Sequence, residues 1–320
     1  MTVTGAGGTS MVSARGLGKT YRARKGGAPF VAVDGIDFDV APGESFGFLG
    51  PNGAGKSSTM RMIGCQSPPT AGTLAVLGLD AARNGPVIRA RMGSVPQDDN
   101  LDTELTVREN LLIYGRYFRL PRAVVRERAE RLLDFARLAD KAADRVHALS
   151  GGMRRRLTIA RSLINDPEIL LLDEPTTGLD PQARHLLWER LFQLKRDGVT
   201  LILTTHYMDE AEQLCDRLVI MDSGRIVAEG PPHVLIKEHA TREVLELRFD
   251  PGTQLESVER LSTIGDRVEV LPDRLLCYTD DGEAALVAAT TAGLRPITSL
   301  VRRASLEDVF LRLTGRSLIE

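Results

Sequence analysis

The chain has 320 residues, of which 41 are Lys or Arg and 43 are Asp or Glu, so its formal net charge is −2. This balance gives no electrostatic reason for binding nucleic acid, and we expect no nucleic-acid partner. No apolar run approaches the roughly 20 residues that cross a bilayer. The Gly/Thr-rich start lacks the basic and apolar parts of a signal peptide. We therefore expect a protein without a transmembrane segment that stays in the cytosol, with a disordered tail over residues 1–10.

Two domains fit this length. From about residue 12 to residue 235, short β-type runs alternate with helical stretches, which is typical of a parallel sheet covered by helices. Between Thr106 and Ile164 the strand patterns stop and helical periodicity dominates. We therefore expect a helical subdomain, about residues 98–165, inserted into the α/β core. Its many arginines are interleaved with acidic residues and are interpreted as a solvated helix face, with a nucleic-acid patch as the alternative.

Residues 241–320 differ in character from the α/β part and predict a small α+β appendage. Its last helix begins with Ser305, and Asp308 is the acidic partner of a capping box. The apolar residues after this cap fall on one helix face. We interpret that face as packing against its own domain, with a dimer contact or a regulatory role as the alternative.

A glycine-rich loop follows a strand pattern at Ser45–Leu49 and precedes a helix-forming stretch at Ser57–Ile63. This is the context that the pattern GxxxxGK[ST] requires. The backbone N–H groups of such a loop can cradle phosphates, Lys56 can reach the β- and γ-phosphates, and the Ser57 hydroxyl can ligate Mg²⁺. The sequence therefore predicts nucleotide binding here. The residues of this predicted site are Gly50, Pro51, Asn52, Gly53, Ala54, Gly55, Lys56 and Ser57, with Ser58 beside them.

Acidic and imidazole groups are expected at the same sheet edge. The apolar strand Ile169–Leu172 fits the centre of a parallel sheet, so Asp173 and Glu174 should emerge at its carboxyl end, where ligands bind in open α/β sheets. Asp173 can hold Mg²⁺ through water, and Glu174, one residue further out, is the better candidate for polarising an attacking water. His206 follows another apolar strand, Thr200–Leu203, and can hydrogen-bond the γ-phosphate.

A second glycine motif, Leu149–Met153, lies in the predicted helical subdomain. A Ser and two Gly that open a helix make an anion site from free N–H groups and a hydroxyl. Here the sequence resembles the ATP-binding-cassette (ABC) ATPases, whose signature is LSGGQ, with Met153 in place of the usual Gln. The resemblance implies that Ser150, Gly151 and Gly152 cap ATP held by the glycine-rich loop of a second subunit, so that two subunits sandwich two nucleotides.

Further positions fit the same resemblance. It implies that Tyr21 stacks on adenine and that Gln97 ligates Mg²⁺, takes part in catalysis and joins the sheet to the helical subdomain. The segment Thr177–Asp180 matches the loop that crosses the dimer interface, and Asp180 is counted among the nucleotide-binding residues.

The resemblance implies a P-loop NTPase of the ABC type, with residues 11–240 as the nucleotide-binding domain and residues 241–320 as an accessory domain. Softer segments, such as Thr106–Leu111 and His206–Glu212, are similar to exporters of the nodulation-factor and daunorubicin-resistance group. The implied protein is an ATPase that uses ATP and Mg²⁺ and drives a separate multispanning permease of a drug, lipid or glycolipid exporter. It would act as a homodimer at the cytoplasmic face of the membrane.

Two other classes of function fit the sequence less well. A soluble ABC-type ATPase acting on the ribosome or on DNA typically carries two cassettes, a long coiled coil or a zinc hook. This chain has one cassette, no CxxC pair and no long heptad run. A P-loop kinase would not need the Leu149–Met153 motif, and a small GTPase would be expected to carry an NKxD motif, which is absent.

Overall fold

The computed structural model describes residues 10–22, 28–250 and 254–315. The predicted tail, residues 1–10, lies outside the described residues except for Ser10. None of the helices within the described ranges is long and apolar enough to cross a membrane.

Two compact units make up the chain, Met1–Glu229 and Gly230–Glu320. This boundary comes before the predicted one at residue 240. The reason is that the helix Pro232–His239 packs against the last helix of the second unit, Leu306–Thr314.

The first unit contains two sheets that share one core. Its strands are β1 (Val12–Tyr21), β2 (Phe30–Val40), β3 (Ser45–Leu49), β4 (Ala71–Val76), β5 (Leu79–Asp80), β6 (Met92–Val95), β7 (Ile169–Asp173), β8 (Thr200–Thr205), β9 (Arg217–Asp222) and β10 (Arg225–Gly230). One sheet has the order β2-β1-β4-β5 and is antiparallel. The other has the order β10-β9-β3-β8-β7-β6, and its strands from β9 to β6 pair in parallel.

The parallel sheet confirms the predicted α/β fold class. Every residue of β3 and β8 is buried, as is Ile169–Leu172 of β7, because helices or the second sheet cover both faces of these strands. The rings of Phe38, Phe46 and Phe48 lie 5.2–5.9 Å apart between centroids in the shared core. The antiparallel sheet was not predicted. The pairing of β1 with β2 is interrupted by register shifts, which break the alternation that would identify such strands.

Helices pack on these sheets, and three of them form a separate subdomain inserted between β6 and β7. The helices are α1 (Lys56–Ile63), α2 (Gly85–Ala90), α3 (Val107–Tyr117), α4 (Arg122–Phe135), α5 (Gly151–Ser162), α6 (Pro181–Arg196) and α7 (Met208–Leu214). The segment from Val95 to Ile169, all of it described, contains α3, α4 and α5 and no strand. Leu111, Leu133 and Leu157 from the three helices are fully buried in one apolar cluster. The predicted helical insertion therefore has its own core.

The second unit is a four-stranded antiparallel sheet with helices on both faces. Its elements are α8 (Pro232–His239), β11 (Glu243–Arg248), α9 (Gln254–Leu261), β12 (Arg267–Val270), β13 (Leu275–Thr279), α10 (Gly282–Thr291), β14 (Thr298–Arg303) and α11 (Leu306–Thr314). The strand order is β12-β13-β11-β14. Alternate residues of β11 face two separate cores: Leu245 packs with α9 and α10, whereas Val244 packs with α11.

Candidate active site

Three neighbouring strands of the parallel sheet bring the predicted catalytic groups to one edge. The glycine-rich loop follows β3, Asp173 ends β7, and His206 follows β8. In the register Asp173 lies opposite Thr204, and Leu49 lies opposite Thr205. The structure thus brings together the residues that the sequence predicted at a common edge.

The loop between β3 and α1 closes tightly on itself. A Cβ on Gly50 would lie 2.3 Å from the Met221 carbonyl oxygen, and Gly55 has φ +104°, so both positions need glycine. Lys56 is 5% exposed, and its Nζ donates to the carbonyl oxygens of Gly50 (2.5 Å) and Pro51 (3.1 Å). Burial lowers the pKa of Lys56, and the nearby carboxylates of the acidic pair partly offset this.

Three polar side chains contact the Glu174 carboxylate. Its Oε2 accepts hydrogen bonds from Gln97 Nε2 (3.2 Å) and the Thr177 hydroxyl (3.2 Å). His206 Nδ1 lies 3.2 Å from Glu174 Oε1. The backbone of Glu174 is left-handed, with φ +45°, a conformation that a non-glycine residue holds only when its surroundings enforce it.

The three predicted metal ligands line one cavity. Ser57, Gln97 and Asp173 all border a polar space of about 250 Å³ next to the glycine-rich loop. Thr204 donates from its hydroxyl to Asp173 Oδ1 at 2.5 Å, which orients that carboxylate. These donors are all oxygens of the kind that Mg²⁺ takes together with phosphate and water. Among the described residues there is no cluster of three His, Cys, Asp or Glu side chains, so a site built by protein groups alone is not found there.

Tyr21 and Ser58 are also brought together. The Tyr21 hydroxyl donates to Ser58 Oγ at 3.3 Å, and Lys19 Nζ lies 5.2 Å from the centroid of the Tyr21 ring. The ring is half-buried and lies beside the start of α1.

The second glycine motif stands apart from these residues. Ser150 caps α5 and accepts from the Met153 backbone N–H at 3.3 Å, while Ser150 and Gly151 are exposed. Asp180 caps α6 in the same way and accepts from the Ala183 N–H at 2.8 Å. Within the described residues, no hydrogen bond joins the Ser150 motif to the glycine-rich loop. The motif is therefore a capped helix N-terminus whose Ser150 hydroxyl is exposed.

Sequence reasoning missed Arg155. Its guanidinium is buried and donates to backbone carbonyls on two of the loops around Glu174. The run Arg154–Arg156 does not reveal which arginine points inward. The one signal is spacing, since Arg155 precedes the buried residues Thr158, Ile159 and Ser162 by three, four and seven positions.

Comparisons with known proteins agree with this geometry. The family "ABC transporter" matches residues 33–177, and the family "Nodulation factor export protein NodI, C-terminal domain" matches residues 254–315. A Nod factor export ATP-binding protein I from Ralstonia nicotianae is 50% identical over 98% of this chain and 97% of its own length. Another, from Rhizobium sp. (strain N33), is 54% identical over 90% of this chain and 93% of its own length.

Solved structures give the same answer for the fold. A dimeric ATP-binding cassette in a post-hydrolysis state, bound to ADP and phosphate, is 29% identical with a TM-score of 0.63, and the match covers 69% of this chain and 98% of that one. A subunit from Clostridium perfringens that is part of an ABC transporter complex is 28% identical with a TM-score of 0.65, over 72% of this chain and 91% of that one. The predicted family and P-loop fold are confirmed, and the two curated relatives described above are named for export, not for action on the ribosome or on DNA. The chain belongs to the ATP-binding proteins of ABC transporters, in the family of the Nod factor export ATP-binding protein I.

Proposed function

We propose that the chain hydrolyses ATP as a homodimer at the cytoplasmic face of a membrane and thereby drives a separate export permease. The observation that carries this is the convergence of Gln97, Thr177 and His206 on Glu174, beside the buried Lys56. Relatives that are 50% and 54% identical in sequence are named for Nod factor export, which supports export as the direction of transport.

Each group has a distinct chemical task in this proposal. The glycine-rich loop and Lys56 bind the β- and γ-phosphates, and the Tyr21 ring packs against the base. Glu174 accepts a hydrogen bond from the attacking water, and His206 orients it toward the γ-phosphate. Catalysis then consists mainly of positioning and electrostatic stabilisation.

Magnesium fits the donor set described above. Ser57, Gln97 and Asp173 would hold it together with phosphate oxygens and water. When bound, the ion neutralises charge that develops on the β- and γ-oxygens.

A second copy of the chain completes the site. Ser150 and the two glycines after it place an exposed hydroxyl and the backbone N–H groups of a helix start at the beginning of α5, and within the described part of the chain no hydrogen bond joins them to its own glycine-rich loop. We propose that they cap the γ-phosphate bound to the other copy, and that Asp180 lies close to this contact. Closure of the dimer would then assemble the catalytic groups.

The permease is proposed to dock in a groove between the sheets and the helical subdomain. The groove encloses about 830 Å³, and Val87 and Met92 line one side while Tyr114, Tyr117 and Phe118 line the other. Tyr117 is 76% exposed although its ring makes an edge contact with Tyr114, so most of this aromatic surface faces the solvent. Two further lining residues, Gln66 and Ser94, also line the cavity of the metal ligands. The proposed docking groove is therefore adjacent to the nucleotide site.

Steady-state hydrolysis by Glu174→Gln and Lys56→Ala tests the chemistry. Glu174→Gln should bind ATP and lose turnover by about 100-fold or more, because a neutral amide polarises the attacking water less than a carboxylate does. Lys56→Ala should lose ATP affinity as well, since it removes a phosphate contact. Glu189→Gln, an exposed carboxylate on α6, is the matched control and should behave as wild type. Turnover by Glu174→Gln close to that of wild type would contradict the proposal.

Affinity capture of Glu174→Gln from detergent-solubilised membranes tests the partner. With ATP and Mg²⁺ a multispanning protein should be retained, and ADP should release it. Adding Tyr117→Ala should weaken retention without changing nucleotide binding, because this ring lines the groove and is not among the residues that line the cavity of the metal ligands. Ribosomal or DNA-associated proteins without any membrane protein would speak against the transport function.

A further inference from the structure

Arg155 is a charged side chain that is almost fully enclosed in the first unit. The residue is 4% exposed, and the Asp99 carboxylate is 3.8 Å from its Nη1. A buried guanidinium needs hydrogen-bond acceptors for all of its N–H groups, since each unpaired group costs free energy. The acceptors that it has here are backbone oxygens.

The three nitrogens of Arg155 make five hydrogen bonds to carbonyl oxygens in two separate loops and at the end of β7. One loop follows β6 and carries Gln97, and the other follows β7 and carries Glu174. The acceptors are Pro175 O for Nε (2.8 Å), Pro96 O and Gln97 O for Nη1 (2.5 and 3.2 Å), and Asp173 O and Glu174 O for Nη2 (3.0 and 3.2 Å). The guanidinium therefore joins two loops to α5 through all three of its nitrogens.

The contacts of Nη2 act directly on the conformation of Glu174. Asp173 O and Glu174 O belong to the two peptide groups that flank the Glu174 Cα, so holding both oxygens limits φ and ψ between them. From the other side, the Glu174 N–H donates to the carbonyl and hydroxyl oxygens of Thr204, both at 3.1 Å. Arg155 and Thr204 together thus hold the left-handed backbone, at φ +45°, from which the Glu174 carboxylate projects.

The helix that carries Arg155 also begins at the exposed Ser150 motif. Arg155 lies in the second turn of α5, five positions after Ser150. A shift of this helix end, such as contact with a phosphate would cause, moves the guanidinium and therefore the carbonyls that it holds.

We propose that Arg155 is a positioning residue for the hydrolysis step, which ties the helix beginning at Ser150 to the backbones that present Glu174 and Gln97. The inference rests on the proposed ATPase function of this site and adds a residue to it. Among the described residues, no hydrogen bond of Arg155 reaches the glycine-rich loop that would bind the phosphates, so we expect its effect to fall on the chemical step more than on ATP binding.

The test compares Arg155→Lys and Arg155→Gln with Arg161→Lys in the full-length protein. Arg161 also lies on α5 and donates to the carbonyls of Asn100 (2.7 Å) and Asp99 (3.3 Å), but it makes no hydrogen bond to the loop of Glu174. Lysine keeps the charge but places its donors on one nitrogen, and glutamine keeps two donors without the charge. Steady-state kcat and KM, the Kd for ATP and the melting temperature are measured for each, with Glu174→Gln as the reference.

We expect both Arg155 variants to lose kcat by on the order of tenfold to a hundredfold, because small misplacements of catalytic groups have effects of that size. Their KM and ATP Kd should stay within about twofold of wild type, and Arg161→Lys should keep its kcat within the same range. Wild-type kcat in both Arg155 variants overturns the inference. So does a joint loss of the folded state and ATP binding, which would make the residue structural. Wild-type turnover by Glu174→Gln would instead overturn the proposed function.

Discussion

At the scale of single residues, the buried charged groups around the sheet edge differ in how readily the sequence reveals them. Lys56 could be predicted because glycines and a Ser in fixed positions surround it. Arg155 and Glu210 could not, since a charged residue on a helix is ordinarily exposed and only tertiary contacts make it otherwise. Glu210, on α7, is 1% exposed, and neither carboxylate oxygen has a hydrogen-bond donor within ordinary geometry among the described residues.

Burial raises the pKa of Glu210 from its ordinary value of 4.5 to about 7. Nearby hydroxyls of Thr205 and Thr176 and the indole of Trp188 act in the opposite direction, while Asp209 raises the pKa further. The folded chain therefore keeps a proton on Glu210 that the unfolded chain releases near pH 4.5. It follows that the free energy of unfolding decreases as the pH rises from about 4.5 to about 7.

Replacing Glu210 with Gln should remove this pH dependence. The interval between 4.5 and about 7, at about 1.4 kcal/mol per pH unit, sets an upper bound of about 3.5 kcal/mol. Relative to wild type, Glu210→Gln should thus gain stability between pH 5 and pH 8. Urea unfolding at several pH values measures this, with Glu189→Gln as the exposed control. A difference from wild type that is the same at every pH would show that Glu210 does not titrate in this range.

At the scale of elements, the sequence predicted those whose local pattern is unambiguous. The strands β3, β7 and β8 are apolar runs that end in polar motifs, and their positions follow from that pattern alone. The pairing of β1 with β2 and β4 was not predictable in the same way, because bulges interrupt it and its partners lie far along the chain. The unit boundary was also displaced, since only the tertiary contact of α8 with α11 decides to which unit α8 belongs.

The predicted cap of α11 is part of a buried network in the second unit. Asp308 is 1% exposed and accepts from the Ser305 N–H (2.8 Å) and from both terminal nitrogens of Arg302 (2.7 and 3.0 Å). Burial would raise the pKa of Asp308, but Arg302 and Ser305 outweigh it, so the pKa is lowered. The Tyr278 hydroxyl lies 3.2 Å from Asp308 Oδ1, which ties the helix to the middle of the sheet.

Asp308→Ala should destabilise the second unit by roughly 3 kcal/mol, because the partly buried Arg302 loses the carboxylate that accepts from both of its terminal nitrogens and keeps only Glu246, 3.6 Å from its Nε. Glu307→Ala, at the exposed neighbouring position, is the control and should change stability by about 0.5 kcal/mol or less. The single tryptophan, Trp188, lies in the first unit, so its fluorescence follows that unit while circular dichroism follows both. An Asp308→Ala transition unchanged by circular dichroism would contradict the role given to this network.

At the scale of the whole molecule, the proposed nucleotide site draws its residues from two copies of the chain. Lys56 and Glu174 lie at one sheet edge of the same chain, whereas Ser150 is exposed at the start of α5 in the helical subdomain. The sequence predicted both groups of residues, but their separation follows from the fold, because α3, α4 and α5 form a subdomain with its own core. One nucleotide site should therefore need Lys56 and Glu174 from one copy and Ser150 from the other.

Mixing inactive variants tests this division most directly. Lys56→Ala and Ser150→Arg should each lack steady-state ATP hydrolysis, and mixing them should restore part of it, because a mixed dimer contains one intact composite site. Mixing Lys56→Ala with Glu174→Gln is the matched control and should restore nothing, since both residues belong to the same half of a site. If Lys56→Ala and Ser150→Arg remain inactive together while forming mixed dimers, the two-copy site is contradicted.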